Sequence, residues 1–151
     1  MNDLPTVRWL LRVLIHPGWA PLAVIGVHLV LAEYGLTHRY DHLLHFLGGV
    51  SIAYFIFGAL RVLPEGAGRI PGWTGYVLAF TASCTVAVFW EFGEFASDRF
   101  MGTSVQQGVP ETMLDLAFGI AGALAVLVLI SLFRGLRISD VERRRDRPLC
   151  F

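Results

Sequence analysis

Long apolar stretches alternate with short polar ones along this chain, and the alternation predicts where helices begin and end. Each of four stretches has about 18 or more residues, close to the ~20 that a helix needs to cross the ~30 Å hydrocarbon core of a bilayer. The polar exceptions inside the first two stretches are His28, Glu33 and His45. The pattern therefore predicts an all-α, polytopic membrane four-helix bundle with spans at residues 19–36, 41–62, 73–97 and 110–133.

A shorter helix is predicted over residues 4–15, before the first span. Arg8 and Arg12 are four residues apart and share one face of this helix, whereas Trp9 and several aliphatic residues occupy the rest. A basic face combined with tryptophan is typical of an amphipathic helix at the membrane interface. We do not expect a signal peptide, because residues 16–18 (His-Pro-Gly) interrupt the apolar run and no clear cleavage site follows.

Arginine supplies all 12 basic residues, and its distribution predicts the orientation of the chain. Only Arg39 and Arg99 lie in the first and third connections between spans. The other arginines lie in the N-terminal segment, in the second connection and in the C-terminal tail. Both termini are therefore expected in the cytoplasm. The arginine-rich residues 143–147 either anchor this topology or contact anionic lipids.

Composition limits the organisation and the partners of the chain. With 151 residues, 55% of them hydrophobic, and a mean hydropathy of +0.60, the chain is expected to form one membrane unit. We divide it into an interfacial helix at 1–16, the four-span bundle at 17–135 and a basic cytoplasmic tail at 136–151. A formal net charge of zero argues against nucleic acid as a partner. Cys84 and Cys150 lie too far apart along the membrane normal to pair, so no disulfide is expected.

Acidic residues and histidines gather at the ends of the spans that the predicted topology places outside the cytoplasm. On the same helix faces, toward the middle of the membrane, lie small residues, which mark close contact between membrane helices. We therefore expect the polar side chains to point into the bundle, with His45, Glu91 and Asp115 approaching one another across three helices. The polar residues are Glu33, Asp41, His42, His45, Glu91, Glu94, Asp98, Glu111 and Asp115. The small residues beneath them are Gly26, Gly48, Gly49, Cys84, Ala87, Gly119 and Gly122.

Glu91 and Glu94 are the predicted catalytic residues. They lie near the C-terminal end of a predicted helix, where the helix dipole disfavours negative charge, and carboxylates within a membrane are costly. Imidazole and carboxylate groups together can bind a divalent cation such as Zn, Mn or Fe. The Glu-x-x-His motif of di-metal helical bundles is absent from the sequence. The predicted metal ligands are His42, His45, Glu91, Glu94, Glu111 and Asp115.

Several of these polar residues also have a plain structural explanation. Asp41 fits the N-cap of the second span, and Glu111 follows a proline at a helix start, where both residue types are favoured. Asp98 fits an interfacial loop. Arg39 and Arg99 could neutralise the paired glutamates in a structural salt-bridge network. Under this alternative the cluster stabilises the bundle and has no chemistry of its own.

Three short motifs between Asp41 and Leu127 carry a family resemblance. They are Asp41-His42-Leu43-Leu44-His45-Phe46, then Glu91-x-x-Glu94, and then Gly102-Thr103 followed by Glu111-Thr112-x-x-Asp115 and Gly119-x-x-Gly122. In these motifs the chain resembles small VanZ-like and YjdF-like bacterial membrane proteins, although His42 stands where their pattern usually has lysine. The resemblance implies a four- or five-span membrane protein, located in the inner (cytoplasmic) membrane of a bacterium. VanZ itself is linked to glycopeptide-antibiotic resistance, with no settled reaction.

Two classes of function fit these observations. In the first, the chain is a membrane enzyme that acts at the outer leaflet on a lipid or lipid-linked substrate, where a metal or a proton-sharing carboxylate pair activates water. In the second, it is a non-catalytic accessory subunit or a lipid- or cation-binding module with a structural polar network. An enzyme needs an open coordination position and a cleft between spans, whereas the second class predicts a closed, fully paired network. Membrane lipids are expected partners in both, and a homo-oligomer or a larger membrane complex is compatible with either.

Overall fold

The computed structural model describes residues 4–63, 70 and 72–145, and within these ranges the side chains of residues 4–6, 8 and 135–145 lie outside the description. The described residues form α-helices joined by short connections, so the prediction of an all-α fold is confirmed. The helices are Leu4–Ile15 (α1), Trp19–Glu33 (α2), Thr37–Arg61 (α3), Gly72–Met101 (α4) and Val109–Arg145 (α5).

Three helices in the described part of the chain are long and apolar enough to span a membrane. They are α3 with 25 residues, α4 with 30 residues and the Val109–Arg134 part of α5 with 26 residues. At 1.5 Å per residue, each of them exceeds the ~30 Å hydrocarbon core. The three helices pack against one another, and their small side chains allow a close approach. The buried residues at the centre are Ala53, Phe57, Ala79, Ala123 and Leu127.

The first predicted span takes a different form. α2 has only 15 residues, about 22 Å at 1.5 Å per residue, and is too short to cross the core by itself. It ends at Glu33 because the chain turns at Gly35, whose φ of 65° is a left-handed conformation that glycine adopts readily. The chain bends by 46° between α1 and α2, and together they qualify as one broken span. The described residues thus contain three candidate spans, or four if the bent pair counts as one, instead of four continuous helices.

The helix predicted over residues 4–15 is confirmed as α1. Val13 is buried, while Leu10, Leu11 and Leu14 on the same helix are about half exposed. An exposed apolar surface of this kind is what a helix at a membrane interface presents to lipid. The position of α1 at the interface stays a prediction.

The contact between α3 and α5 is the closest in the bundle. A Cβ atom on Gly49 would overlap the carbonyl of Gly119, and one on Gly122 would overlap a carbonyl of α3. A Cβ on Gly119 would lie 3.5 Å from the Cβ of Ala87 on α4. Among the small residues beneath the polar ends, Gly49 on α3, Ala87 on α4, and Gly119 and Gly122 on α5 therefore do form helix contacts. The same expectation was wrong for Gly26 on α2 and for Gly48 on α3, because a Cβ on either glycine would meet no atom within 4 Å.

The last helix is longer than the predicted fourth span, and the division of the chain into bundle and tail stays a prediction. α5 continues without a break past residue 135, where the tail is predicted to begin, and ends at Arg145. Cys84 on α4 is a half-buried free thiol. Cys150, and with it the expectation that the two cysteines do not pair, lies outside the described residues.

Candidate functional site

The N-terminal ends of α3 and α5 meet the C-terminal end of α4 at one end of the bundle, because successive helices run in opposite directions. Four ionisable side chains are buried there: Asp41, His45, Glu91 and Asp115, which are 8%, 9%, 5% and 3% exposed. Buried ionisable groups in proteins are normally paired or bound to a metal. The expected approach of His45, Glu91 and Asp115 across three helices is confirmed.

His45 lies at the centre of this cluster. Its Nδ1 atom is 3.5 Å from a carboxylate oxygen of Glu91. Its Nε2 atom is 3.5 Å from Asp41, one turn earlier on α3, and 3.8 Å from Asp115 on α5. One imidazole ring therefore faces three carboxyl groups from three different helices.

His42 extends the cluster toward the end of the bundle. Its Nδ1 atom donates a hydrogen bond of 2.9 Å to Asp115, and its Nε2 atom is 3.6 Å from Glu111. The ring also stacks on Phe118, with centroids 4.9 Å apart. Glu111 lies in the first turn of α5, so its position agrees with the helix-start explanation as well as with a place in the cluster. Asp115 thus connects the two histidines.

The two predicted catalytic residues lie in different environments. Glu91 is buried, and neither of its carboxylate oxygens has a hydrogen-bond partner. Glu94, one turn later, is half-buried and accepts a hydrogen bond of 2.8 Å from the indole nitrogen of Trp90. A buried polar group without a partner is rare in folded proteins and calls for an explanation. At Glu91 the explanation is a proton, a cation or the charge of a protonated His45, whose Nδ1 atom is 3.5 Å away.

Groups of ligand atoms that could hold a metal ion occur within this cluster. In each of three groups the histidine and carboxylate atoms lie within 4.8 Å of one another. A mixture of nitrogen and oxygen ligands suits Zn, Mn or Fe. All six predicted ligands fall within the groups, and Asp41 joins them; their role as metal ligands stays a prediction. The groups are Asp41 with His45 and Asp115, His42 with Glu111 and Asp115, and His45 with Glu91 and Glu94.

A cavity of about 190 Å³ opens beside the cluster, between α2, α3 and α4. Asp41, His45 and His28 line one end of it, and most of the remaining wall is apolar. His28 is half-buried, and its ring meets that of Trp90 edge to face with centroids 5.4 Å apart. His28 was not predicted as part of the site, although an isolated histidine in an apolar stretch is a signal for one.

Comparison with known proteins identifies the family. Residues 6–135 match a family described as "Predicted membrane protein (DUF2238)". The chain belongs to this family. It is similar to a Thermotoga maritima protein named "Uncharacterized protein", with 30% identity over 92 residues, which are 60% of this chain and 47% of the relative. The chain thus spans about half the length of this curated relative. No solved structure matches it.

Membership of this family agrees with the three helices of spanning length, and the chain is an integral membrane protein. The family description and the name of the relative assign no reaction or ligand. The resemblance to VanZ-like and YjdF-like proteins rests on the short motifs and stays a prediction.

Two structural explanations offered by the sequence do not hold in this member of the family. Asp41 is not an N-cap, because α3 already begins at Thr37 and Asp41 is buried against His45 in the next turn. The arginine-neutralised network is also wrong. Arg39 lies over the ring of Tyr40, and neither it nor Arg99 forms an ion pair with any acid among the described residues.

Asp98 holds the connection between α4 and α5 instead of lying in a loop. It belongs to α4, and its carboxylate accepts hydrogen bonds from the backbone N–H groups of Val105 at 2.8 Å and Gln106 at 2.9 Å. The side chain of Gln106 donates to the backbone carbonyl of Glu91 at 3.2 Å, and that of Gln107 bonds His38 on α3 at 2.8 Å. The connection therefore lies beside the cluster. Neither glutamine was predicted, because no periodicity identifies residues of a short loop.

Proposed function

We propose that this protein is a metal-dependent membrane enzyme that acts on a lipid or lipid-linked substrate. In this proposal the cluster binds one divalent cation, Zn, Mn or Fe. The observation that carries the proposal is the carboxylate of Glu91, which is buried beside His45 and has no hydrogen-bond partner. In the group of His45, Glu91 and Glu94 described above, His45 and Glu91 are the proposed ligands, and Glu94 lies beside them as the proposed base.

A cation accounts for Glu91 better than the alternatives do. An ionised acid without a counter-charge costs on the order of 3 kcal/mol at mid-membrane even on the lenient insertion scale. His45 supplies a counter-charge only when it is protonated, and it is then shared among Glu91, Asp41 and Asp115. A proton would remove the charge but would leave a buried carboxyl group without a hydrogen-bond partner. A cation bound by Glu91 and His45 satisfies both the charge and the lone pairs.

The arrangement also offers one of the two features that an enzyme needs, a cleft between spans. A non-catalytic module predicts a closed network in which every polar atom is paired, and Glu91 does not fit that prediction. An enzyme needs a cleft between spans, and the cavity of about 190 Å³ reaches Asp41 and His45. These two observations favour the enzyme over the accessory subunit.

The proposed reaction is hydrolysis of an ester bond in the substrate. A bound divalent cation supplies a Lewis acid that makes water easier to deprotonate. Glu94, which is half-buried and therefore nearer to water than Glu91, accepts the proton. The oxygen of that water forms a bond to the carbonyl carbon or phosphorus as the ester bond to the leaving oxygen breaks. The proton then passes from Glu94 to the leaving oxygen, so that atoms and charge balance.

Elemental analysis of the detergent-purified protein, prepared without chelator, tests the metal. We expect about one equivalent of Zn, Mn or Fe per chain, as for a single site built from these ligands. Incubation of the metal-loaded protein with a total membrane lipid extract, followed by mass spectrometry, tests the reaction. Loss of a lipid species with appearance of its hydrolysis products is expected. A metal-free protein that changes no lipid would favour the non-catalytic module.

We further propose that both termini lie in the cytoplasm of a bacterium and that the cluster faces outward. The support is the distribution of arginine along the chain. In a variant without Cys84 and Cys150, a cysteine replacing the exposed Ser104 should react with an impermeant thiol reagent added outside intact cells. A cysteine replacing Gly66, in the connection between α3 and α4, should react only after the cells are opened. The reverse pattern would place the cluster on the cytoplasmic side.

A further inference from the structure

The cavity beside the cluster opens sideways, between α2 and α4. α2 packs against α3 but makes few contacts with α4, so the two helices leave a crevice whose back wall is α3. Ile25 on α2 and Val86 and Trp90 on α4 line the crevice, and they are 44%, 40% and 41% exposed. Because these residues are exposed and also line the cavity, we place its opening among them. This opening lies along the helices and not at the end of the bundle.

The wall of the crevice changes from polar to apolar along the helix axis. On α3 the lining begins at Asp41 and His45, in the cluster, and reaches Ile52, about 16 Å away at 1.5 Å per residue. On α2 it runs from His28, at the level of the cluster, to Pro21. The end away from the cluster includes Ser51 and Ser83, but their hydroxyl groups donate to backbone carbonyls of α3, and the rest of its lining is apolar. An elongated cavity with a polar end and an apolar body fits a molecule with the same two parts.

The position of the crevice indicates which molecule this is. α3 and α4 are candidate membrane spans, so the molecules outside the opening are the hydrocarbon chains of the bilayer. A volume of about 190 Å³ is below the ~300–1,000 Å³ of pockets that enclose whole ligands. It is large enough for one chain segment, since an apolar cavity of ~150 Å³ holds benzene.

We propose that the crevice admits a single hydrocarbon chain of a membrane amphiphile, which enters from the bilayer between α2 and α4 and places its polar head group at Asp41 and His45. This inference names the substrate class of the proposed enzyme, and for the reaction it rests on the proposed function. Binding of the hydrocarbon chain can be tested separately from the reaction. Acyl lipids and isoprenoid lipids both combine a hydrocarbon chain with a polar head group, so both fit this proposal. The head group is then next to the carboxylate of Glu91.

Gly48 offers a substitution that fills the crevice. It lies on α3 in the cavity wall, and a Cβ there would meet no atom within 4 Å, so a larger side chain enters the cavity without displacing a helix. Gly93 provides a matched control. It is an exposed helical glycine on α4, a Cβ there would also meet no atom within 4 Å, and it does not line the cavity. Gly48→Leu should block the chain, whereas Gly93→Leu should not.

The experiment uses palmitic acid that carries a photoreactive diazirine on its chain, in vesicles of phosphatidylethanolamine and phosphatidylglycerol that contain the full-length protein. After illumination, mass spectrometry should locate the adducts on the crevice-lining parts of α2 and α4. Gly48→Leu should reduce these adducts by about tenfold, equivalent to ~1.4 kcal/mol of binding, and Gly93→Leu should leave them unchanged. Excess lysophosphatidylglycerol or farnesyl phosphate should compete, and the better competitor identifies an acyl or an isoprenoid source.

Adducts spread evenly over all lipid-facing surfaces, or equal labelling in both variants, would overturn the inference, as would the failure of both competitors. If Gly48→Leu does not fold, the distribution of adducts on the unmodified protein still tests the chain site. Metal analysis of the same samples separates the two proposals. Protein that binds the probe in the crevice but contains no metal contradicts the metal-dependent enzyme, and metal-loaded protein without crevice adducts contradicts only the chain site.

Discussion

Replacing Glu91 by glutamine is expected to remove most of the bound cation and to make thermal unfolding insensitive to chelator. Glutamine keeps the size of the side chain but removes its charge, and with it the Coulomb attraction that draws a divalent cation into a membrane-embedded site. In the unmodified protein, a cation present at about 100 times its dissociation constant stabilises the fold by ~2.7 kcal/mol. Chelator should therefore lower the Tm by about 5–10 °C for a chain of this length.

Glu33→Gln is the matched control for this experiment. Glu33 is an exposed acid at the end of α2 and is not part of the cluster, so its variant should keep both the metal and the chelator sensitivity. If Glu91 is only a protonated packing residue, Glu91→Gln should leave Tm and metal content unchanged. An unmodified protein that is isolated without metal, and whose Tm does not respond to chelator, would leave the structural polar network as the better account.

Replacing Gly49 by alanine is expected to destabilise the protein by about 1–3 kcal/mol, the usual cost of overpacking a tight contact. The added methyl group would overlap the backbone of α5 at Gly119, and a backbone cannot rotate away as a side chain can. α3 and α5 must then move apart, which also separates His45 from Asp115. Thermal unfolding in detergent, with metal analysis of the same samples, should show a lower Tm and a lower metal content.

The neighbouring glycine supplies the control. A Cβ on Gly48 would meet no atom within 4 Å, so Gly48→Ala should be neutral, or stabilising by up to ~1 kcal/mol, because alanine favours a helix more than glycine does. Both variants add the same methyl group to α3, at neighbouring positions. Equal Tm values for both would show that the close contact of α3 and α5 does not determine stability.

Much of the architecture follows from patterns within single helices. The lengths of the apolar runs predicted α3, α4 and the membrane part of α5, and the spacing of Arg8, Arg12 and the aliphatic residues predicted α1. The polar ends of α3, α4 and α5 had to meet, because helices joined by short connections alternate in direction. The small residues on the same faces predicted that these polar ends point inward, which His45, Glu91 and Asp115 confirm.

Other features could not be read from such patterns. The sequence suggested that Asp41 is an N-cap, whereas in the structure Asp41 lies beside His45. It also suggested Arg39 and Arg99 as partners of the glutamates, whereas both arginines lie outside the cluster. Sequence patterns also did not predict three further features. These are the short length of α2, the hydrogen bonds from the α4–α5 connection to Asp98, and the crevice beside His28. Each of these depends on more than one element of the chain.

The sequence by itself determined the helices of spanning length, their alternation and the end of the bundle at which histidines and acids gather, because these depend on hydrophobicity and on spacing within one helix. Only the tertiary structure decided which of those polar groups touch. That choice depends on how far each helix is rotated and how closely two backbones approach, as α3 and α5 do at Gly49 and Gly119. The Glu91 carboxylate lies 3.5 Å from His45 without a hydrogen bond as a result of this packing, since the histidine and acids around it come from three helices.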